Sequence, residues 1–237
     1  MKKIFIFTLL ISAVFCFAFQ VDTFGPTADD FSCANLDQVP ASFGIQIANQ
    51  KKLCLWENGV WNSYSYLGLT IKGTYMLNAD TMLVAMGIYS YSDGIYNFDI
   101  NTHNWQLNDW FILPNFVKYN PHNQLYYVGE RDGLFYSANG HNWTRITSLG
   151  SNKCNSIAWY DSNIITNNGQ MVYYSNDNGL NWQQSSISNL SSFRFDDNGI
   201  LYAIMDVGSD SDGLWRSNDF GANWTNILYT SALSCLG

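Results

Sequence analysis

The sequence predicts an all-β fold, a small β-propeller of five four-stranded blades closed by its N- and C-terminal segments. Three observations carry the prediction. Trp61, Trp105, Trp143, Trp182 and Trp224 recur at separations of 44, 38, 39 and 42 residues. Each interval holds short runs of β-branched and aromatic residues bounded by Asn, Asp and Gly, the pattern of strands and turns. Beyond the first residues no amphipathic helical period is present. Four strands to a repeat of this length make sheets that cannot bury both faces alone and so stack around an axis. A β-sandwich is the alternative, and the regular tryptophan spacing argues against it.

The units read as strand A, turn, strand B, loop, strand C, hairpin, strand D. Strand B is visible in Met82–Met86, Leu125–Val128 and Ile200–Ile204, and strand C in Gly94–Tyr96, Gly133–Tyr136, Met171–Tyr174 and Gly213–Arg216. Phe193–Phe195 is a strand A, followed by the turn Asp196-Asp197-Asn198-Gly199. The first unit, from Phe43 to Tyr66, is short, with Leu53-Cys54-Leu55 expected as its strand B. After Trp224 the chain runs into Ala232–Cys235, where a further strand A would close the ring against the first blade.

Two hairpins between strands C and D share one pattern. Ser175-Asn176-Asp177-Asn178-Gly179-Leu180-Asn181-Trp182 and Ser217-Asn218-Asp219-Phe220-Gly221-Ala222-Asn223-Trp224 both read Ser-x-Asp-x-Gly-x-x-Trp. Ser137–Trp143 is a copy shorter by one residue, and Asp99–Trp105 a looser one. The carboxylate suits the turn's own N–H groups, Gly suits a positive φ, and Trp brings a large ring to wedge between blades. The pattern resembles the Asp-box of the sialidase-type repeat propellers. The resemblance implies that Ser175, Asp177, Gly179, Trp182, Ser217, Asp219, Gly221 and Trp224 are structural, on the rim away from the ligand.

The same resemblance raises glycoside hydrolysis. Sialidases grip their substrate with three arginines and carry a Phe/Tyr-Arg-Ile-Pro motif, whereas Phe193-Arg194-Phe195 lacks Ile-Pro. Arg131, Arg145, Arg194 and Arg216 are the only arginines, and Arg145 and Arg216 fall in or beside outer elements. No carboxylate pair is singled out by spacing, as a glycosidase of another type would need. His103 and His141 share one turn slot, two residues before a tryptophan, and His122 sits in a polar turn. The expectation is a binding protein rather than an enzyme, with an Asp-box glycosidase or an assembly scaffold as alternatives.

Charge and leader narrow the partners. Lys2 and Lys3 precede an apolar run to Phe17, and Cys16-Phe17-Ala18 presents small residues where a signal peptidase reads, so residues 1–18 are expected to be a signal peptide and 19–237 one secreted domain. That removal leaves 9 basic residues against 19 acidic ones, a net charge of −10. Nucleic acid and membrane are then poor partners, and no membrane insertion is expected once the leader is cleaved. Cys33, Cys54, Cys154 and Cys235 allow three pairings, of which Cys33–Cys235 would staple the ring closure. Cys154 lies 11 residues after its tryptophan, at an apolar position of the repeat, where a buried core thiol serves as well.

The B–C and D–A loops share one face of a propeller, and loops on a rigid scaffold are where binding resides. Those loops carry Asp93, Glu130, Asp132, Asp206, Asp210 and Asp212 with Arg131, so an acidic rim is expected. Asp206, Asp210 and Asp212 would take Ca2+ as an oxygen-ligand loop, the alternative being a solvated acidic turn. No other cofactor is implied. Tyr64, Tyr66, Tyr89, Tyr91, Trp110 and Phe111 are the aromatic candidates on this face, suited to stack on a sugar, to anchor a protein, or to pack beneath the loops. A glycan or a basic protein is the expected partner.

Overall fold

The computed structural model describes residues 44–48, 52–57, 60–88, 90–206, 208 and 212–229. The leader, Cys33, Tyr89, Asp210 and Cys235 lie outside them, and so does the expected Cys33–Cys235 bridge. Five antiparallel sheets follow one another along the chain. The first holds β1 (Gly44–Ala48), β2 (Lys52–Glu57) and β3 (Val60–Tyr64). The second holds β4 (Ile71–Met76), β5 (Thr81–Met86), β6 (Gly94–Asp99) and β7 (Trp105–Trp110). The third holds β8 (Phe116–Asn120), β9 (Leu125–Glu130), β10 (Gly133–Ser137) and β11 (Thr144–Arg145). The fourth runs from β12 (Ile157–Tyr160) through β13 (Asn163–Asn168) and β14 (Met171–Ser175) to β15 (Gln183–Ser188). The fifth runs from β16 (Leu190–Phe195) through β17 (Leu201–Met205) and β18 (Gly213–Ser217) to β19 (Thr225–Tyr229). These are the blades of a small β-propeller, and a single 3-10 turn at Thr147–Leu149 is the helical element among the described residues.

The first blade departs from expectation. Among the described residues it shows three strands, and Leu53–Leu55 lie in β2, directly before the strand that carries Trp61. They occupy the place of strand C rather than strand B, because β2 pairs directly with β3, the strand that carries Trp61.

Alternation explains the core. Successive side chains of a strand point to opposite faces, and a middle strand of a blade has a neighbouring blade on each side. In β5, Met82, Val84 and Met86 join Leu53 and Leu55 of the first blade, while Leu83 and Ala85 join Val117 and Val128 of the third. In β13, Ile164 faces Tyr127 and Leu134 of the third blade, and Ile165 faces Leu201 and Ala203 of the fifth. Continuous apolar runs such as Met82–Met86 are therefore buried on both faces. Each of the four inter-blade cores among the described residues has one repeat tryptophan packed against it: Trp105, Trp143, Trp182 and Trp224 in chain order.

The hairpins that deliver these tryptophans close on themselves. In Ser175–Trp182 the Asp177 carboxylate accepts the Asn181 N–H at 2.9 Å and the Asn181 amide at 2.7 Å, and Ser175 Oγ accepts the Gly179 N–H at 2.8 Å. Ser217–Trp224 repeats all three bonds through Asp219, Asn223 and Gly221 at 2.8, 2.8 and 2.9 Å. Gly179 and Gly221 have φ of 86° and 104°, a conformation that side chains with a Cβ disfavour. The Asn181 N–H, followed by its side-chain amide, holds the Asp177 carboxyl down to about 2. At Asp219 burial pushes the carboxyl up, but the Asn223 and Ser217 bonds outweigh it and the net shift is downward. In the shorter copy Asn139 replaces the aspartate and accepts the His141 and Asn142 N–H groups at 3.0 Å.

Each hairpin then docks on the outer strand of the preceding blade, at the residue three after that blade's own tryptophan. Ser185 Oγ accepts the Trp224 indole N–H at 2.9 Å and donates to the Gly221 carbonyl at 2.6 Å. Asn108 serves in the same place, its Oδ1 accepting from Trp143 at 3.1 Å and its Nδ2 donating to the Gly140 carbonyl at 2.9 Å. Tyr64 bonds His103 at 3.0 Å and stacks on its ring. The slot facing Trp182 holds Ile146, which packs into the same core, and the buried Trp182 indole N–H has no hydrogen-bond partner among the described residues. A buried donor left unpaired loses the bond and keeps the desolvation cost. Trp224→Phe is accordingly expected to cost about 1–2 kcal/mol more than Trp182→Phe in urea unfolding. Equal losses would contradict the docking role of Ser185.

Candidate functional site

The loops on the B–C and D–A face are laced together by backbone hydrogen bonds. The Gly87 N–H donates to Thr70, Phe111 to Asp93 and Arg131 to Ile112, at 3.0, 3.4 and 3.1 Å. Asn115 donates to Gly129 at 2.7 Å and Cys154 to Glu130 at 2.8 Å. Each D–A connection thus crosses its blade's end and binds the B–C loop beside it, so residues 66–70, 87–88, 90–93, 110–115 and 130–132 form one surface across the second and third blades.

The carboxylates expected on the rim of this face divide into two groups. Asp93, 3% exposed, turns inward, and its Oδ1 accepts the Ile88 N–H at 2.9 Å, the Ser90 N–H at 3.1 Å and the Ser90 hydroxyl at 3.0 Å. Asp212 is equally buried and accepts the Gly208 N–H at 2.8 Å. Glu130, 4% exposed, accepts the Ile112 N–H at 2.7 Å. These three hold loops in place, because a buried carboxylate needs donors and the loop N–H groups supply them. Asp132 is half exposed beside Arg131, with Nε and Oδ1 3.8 Å apart, and Asp206 is exposed. Among the described residues no group of three His, Cys, Asp or Glu side chains is placed to hold a metal ion.

The aromatic candidates divide as well. Tyr64 stacks on His103, Tyr66 packs against Tyr96 and Trp105, and Phe111 is buried edge-on to Phe135 and Trp143. Tyr91 is 99% exposed and Trp110 60% exposed. Three aliphatic side chains that sequence reasoning did not single out join them on the same loops: Leu67, Ile88 and Ile112, all exposed. Leu67 and Leu113, which follows Ile112 in the chain, have φ of 50° and 54°, an uncommon conformation for a residue with a Cβ. Such backbone is retained where its surroundings over-determine it, and it collects at binding loops.

The remaining sequence candidates have structural surroundings. His103 lies in its hairpin at φ 58°, and His141 sits 2.9 Å from the Asn108 amide. Arg145 lies in the outer strand β11 and Arg216 in β18 directly before Ser217. Cys154 is a fully buried thiol 3.2 Å from Thr166 Oγ1, and burial pushes its pKa up to about 12. Cys54 is buried too.

No protein-family model matches the chain, and no curated protein does. Solved structures do. The chain is similar to the extracellular domain of a one-component system from B. thetaiotaomicron, at 14% identity and a TM-score of 0.62 over 85% of this chain and 28% of that one. It is similar to YCF48 bound to a D1 peptide, at 12% identity and a TM-score of 0.55 over 80% of this chain and 66% of that one. It is also similar to an ancestral GH74 enzyme, at 22% identity and a TM-score of 0.53 over 66% of this chain and 24% of that one. The likeness is one of fold, and the chain spans about a quarter of the first and third of these proteins. No helix among the described residues is long and apolar enough to cross a membrane.

Glu130 gives this face a pH signature. Burial, above all, raises its carboxyl from the ordinary value of 4.5, and the Asp132 charge adds to that, against the Ile112 N–H and Arg145. A folded-state pKa above the unfolded one contributes stability that is complete below about 4.5 and is lost as pH rises through the folded value. Glu130→Gln keeps an acceptor for the Ile112 N–H and removes the titration. It is expected to flatten the stability profile from pH 4.5 to neutrality and to leave the chain at least as stable at neutral pH. A profile as steep as the parent's would contradict this placement of Glu130.

Proposed function

We propose that this chain is an exported recognition module of the Asp-box type, binding a glycan or protein ligand on the loop face of its second and third blades. The observation that carries the reading is the display of Leu67, Ile88, Tyr91, Trp110 and Ile112 on loops that are hydrogen-bonded into one surface. Apolar side chains clustered on an ordered surface are a feature of interaction sites. The two Ser-x-Asp-x-Gly-x-x-Trp turns, each closed by its own serine and aspartate, support the Asp-box assignment. Residues 1–18 support export. One structural neighbour is an extracellular domain and another was solved with a peptide bound, which favours binding.

The GH74 neighbour keeps hydrolysis as the second reading. Against it, Asp93, Glu130 and Asp212 each accept a backbone N–H inside the fold, an arrangement that suits loop support better than acid–base chemistry on a glycosidic bond. The test is to apply the purified chain to a glycan array and a peptide array in parallel, with a Tyr91→Ser/Trp110→Ser double variant beside it. Binding on at least one array that weakens tenfold or more in the variant is expected. Binding unchanged by the substitutions, or release of sugar from the glycans, would contradict the reading.

A further inference from the structure

The exposed side chains and the buried carboxylates of the loop face discriminate between ligand classes. A sugar is held by flat rings together with polar side chains directed at its hydroxyls. Here the polar side chains best placed for that task, Asp93 and Glu130, are buried and accept N–H groups from Ile88, Ser90 and Ile112. The large side chains that the loops leave exposed are mostly apolar and mixed in shape, with Ser90, Arg131 and Asp132 as polar neighbours. Tyr91 and Trp110 supply rings, but Leu67, Ile88 and Ile112 are aliphatic and offer no stacking face. Mixed aliphatic and aromatic surface fits the side chains of a polypeptide.

Charge refines the partner. Asp109 lies beside Trp110 and accepts its N–H at 2.8 Å, and Asp132 stands half exposed on the adjoining loop. Arg131, the one cation in residues 65–70, 87–93, 110–115 and 130–132, is 3.8 Å from the Asp132 carboxylate. The chain as a whole has 19 acidic residues against 11 basic ones. This surface attracts cations at the edge of its apolar patch and repels phosphates and acidic peptides.

We infer that the ligand of this face is a polypeptide segment carrying apolar side chains together with lysine or arginine, its apolar groups seated on Leu67, Ile88, Tyr91, Trp110 and Ile112 and its cations at Asp109 and Asp132. The inference rests on the loop face being the binding surface. It commits to a polypeptide where that reading admits a glycan.

The experiment is an array of short synthetic peptides graded in net charge and apolar content, probed with the full chain and with two variants. Leu67→Ser/Ile112→Ser removes aliphatic surface, and Asp109→Asn/Asp132→Asn removes charge. All four positions are on the surface, so melting temperatures near the parent's confirm folding. Capture of basic, apolar peptides is expected, weakened about tenfold or more by the first variant and several-fold by the second. Raising salt from about 0.05 to 0.5 M is expected to weaken the parent's binding and to affect the charge variant less. Peptide capture indifferent to peptide charge, or a blank peptide array, overturns the inference. A blank peptide array beside a glycan that binds through Trp110 overturns the polypeptide alone and leaves the face standing. Peptide capture that survives every substitution on the loops overturns the face as well.

Discussion

The structure depends on one repeated contact, the seating of a hairpin tryptophan against the outer strand of the blade before it. A four-stranded sheet of this size has two apolar faces and cannot be stable alone. The tryptophan fills the wedge that two twisted sheets leave between them, and its indole N–H and the glycine carbonyl of its turn fix the depth at which it sits. Ser185 and Asn108 make this contact with hydrogen bonds, Tyr64 makes a variant of it with His103, and Ile146 makes it by packing alone. At the seam between the third and fourth blades the repeat tryptophan's buried donor goes unpaired among the described residues, and there too the outer strand shrinks to the two residues Thr144–Arg145.

Blades held in register bring their loops together at one end. The inward carboxylates of Asp93, Glu130 and Asp212 work in the same sense as the hairpin aspartates at the other end, since all accept loop N–H groups that no strand can satisfy. One end of the propeller uses carboxylates to tighten turns that carry tryptophan inward. The opposite end uses them to brace loops that carry Tyr91 and Trp110 outward, and the backbone strain at Leu67 and Leu113 falls on that end.

The repeat was legible because its chemistry is local. The strands beginning at Met171 and Gly213, and both full Ser-x-Asp-x-Gly-x-x-Trp turns, follow from residue types at fixed offsets. The face was harder to read. Asp93 in a sequence looks like any exposed loop acid, and only the donors of Ile88 and Ser90 that turn toward it show that it is buried. Leu67, Ile88 and Ile112 read as core residues by type, yet they are exposed because the loops that carry them are pinned through their backbones. The docking slot was missed for a different reason. Its position is constant, three residues after each tryptophan, but Tyr, Asn, Ile and Ser share no pattern of type. The first blade misled because Leu53–Leu55 lie in the strand paired with that of Trp61, one strand further along the repeat than their place in the sequence suggests.

The most direct measurement of the inter-blade contact is a double-mutant cycle between Ser185→Ala and Trp224→Phe, read as unfolding free energy in urea. If the tryptophan is seated through that serine, the two changes share one interaction, and a coupling energy of about 1 kcal/mol or more is expected. Losses that add to within about 0.3 kcal/mol would show that the blades are registered without it, and the hairpin contact would lose its place as the constraint on which the loop face is built.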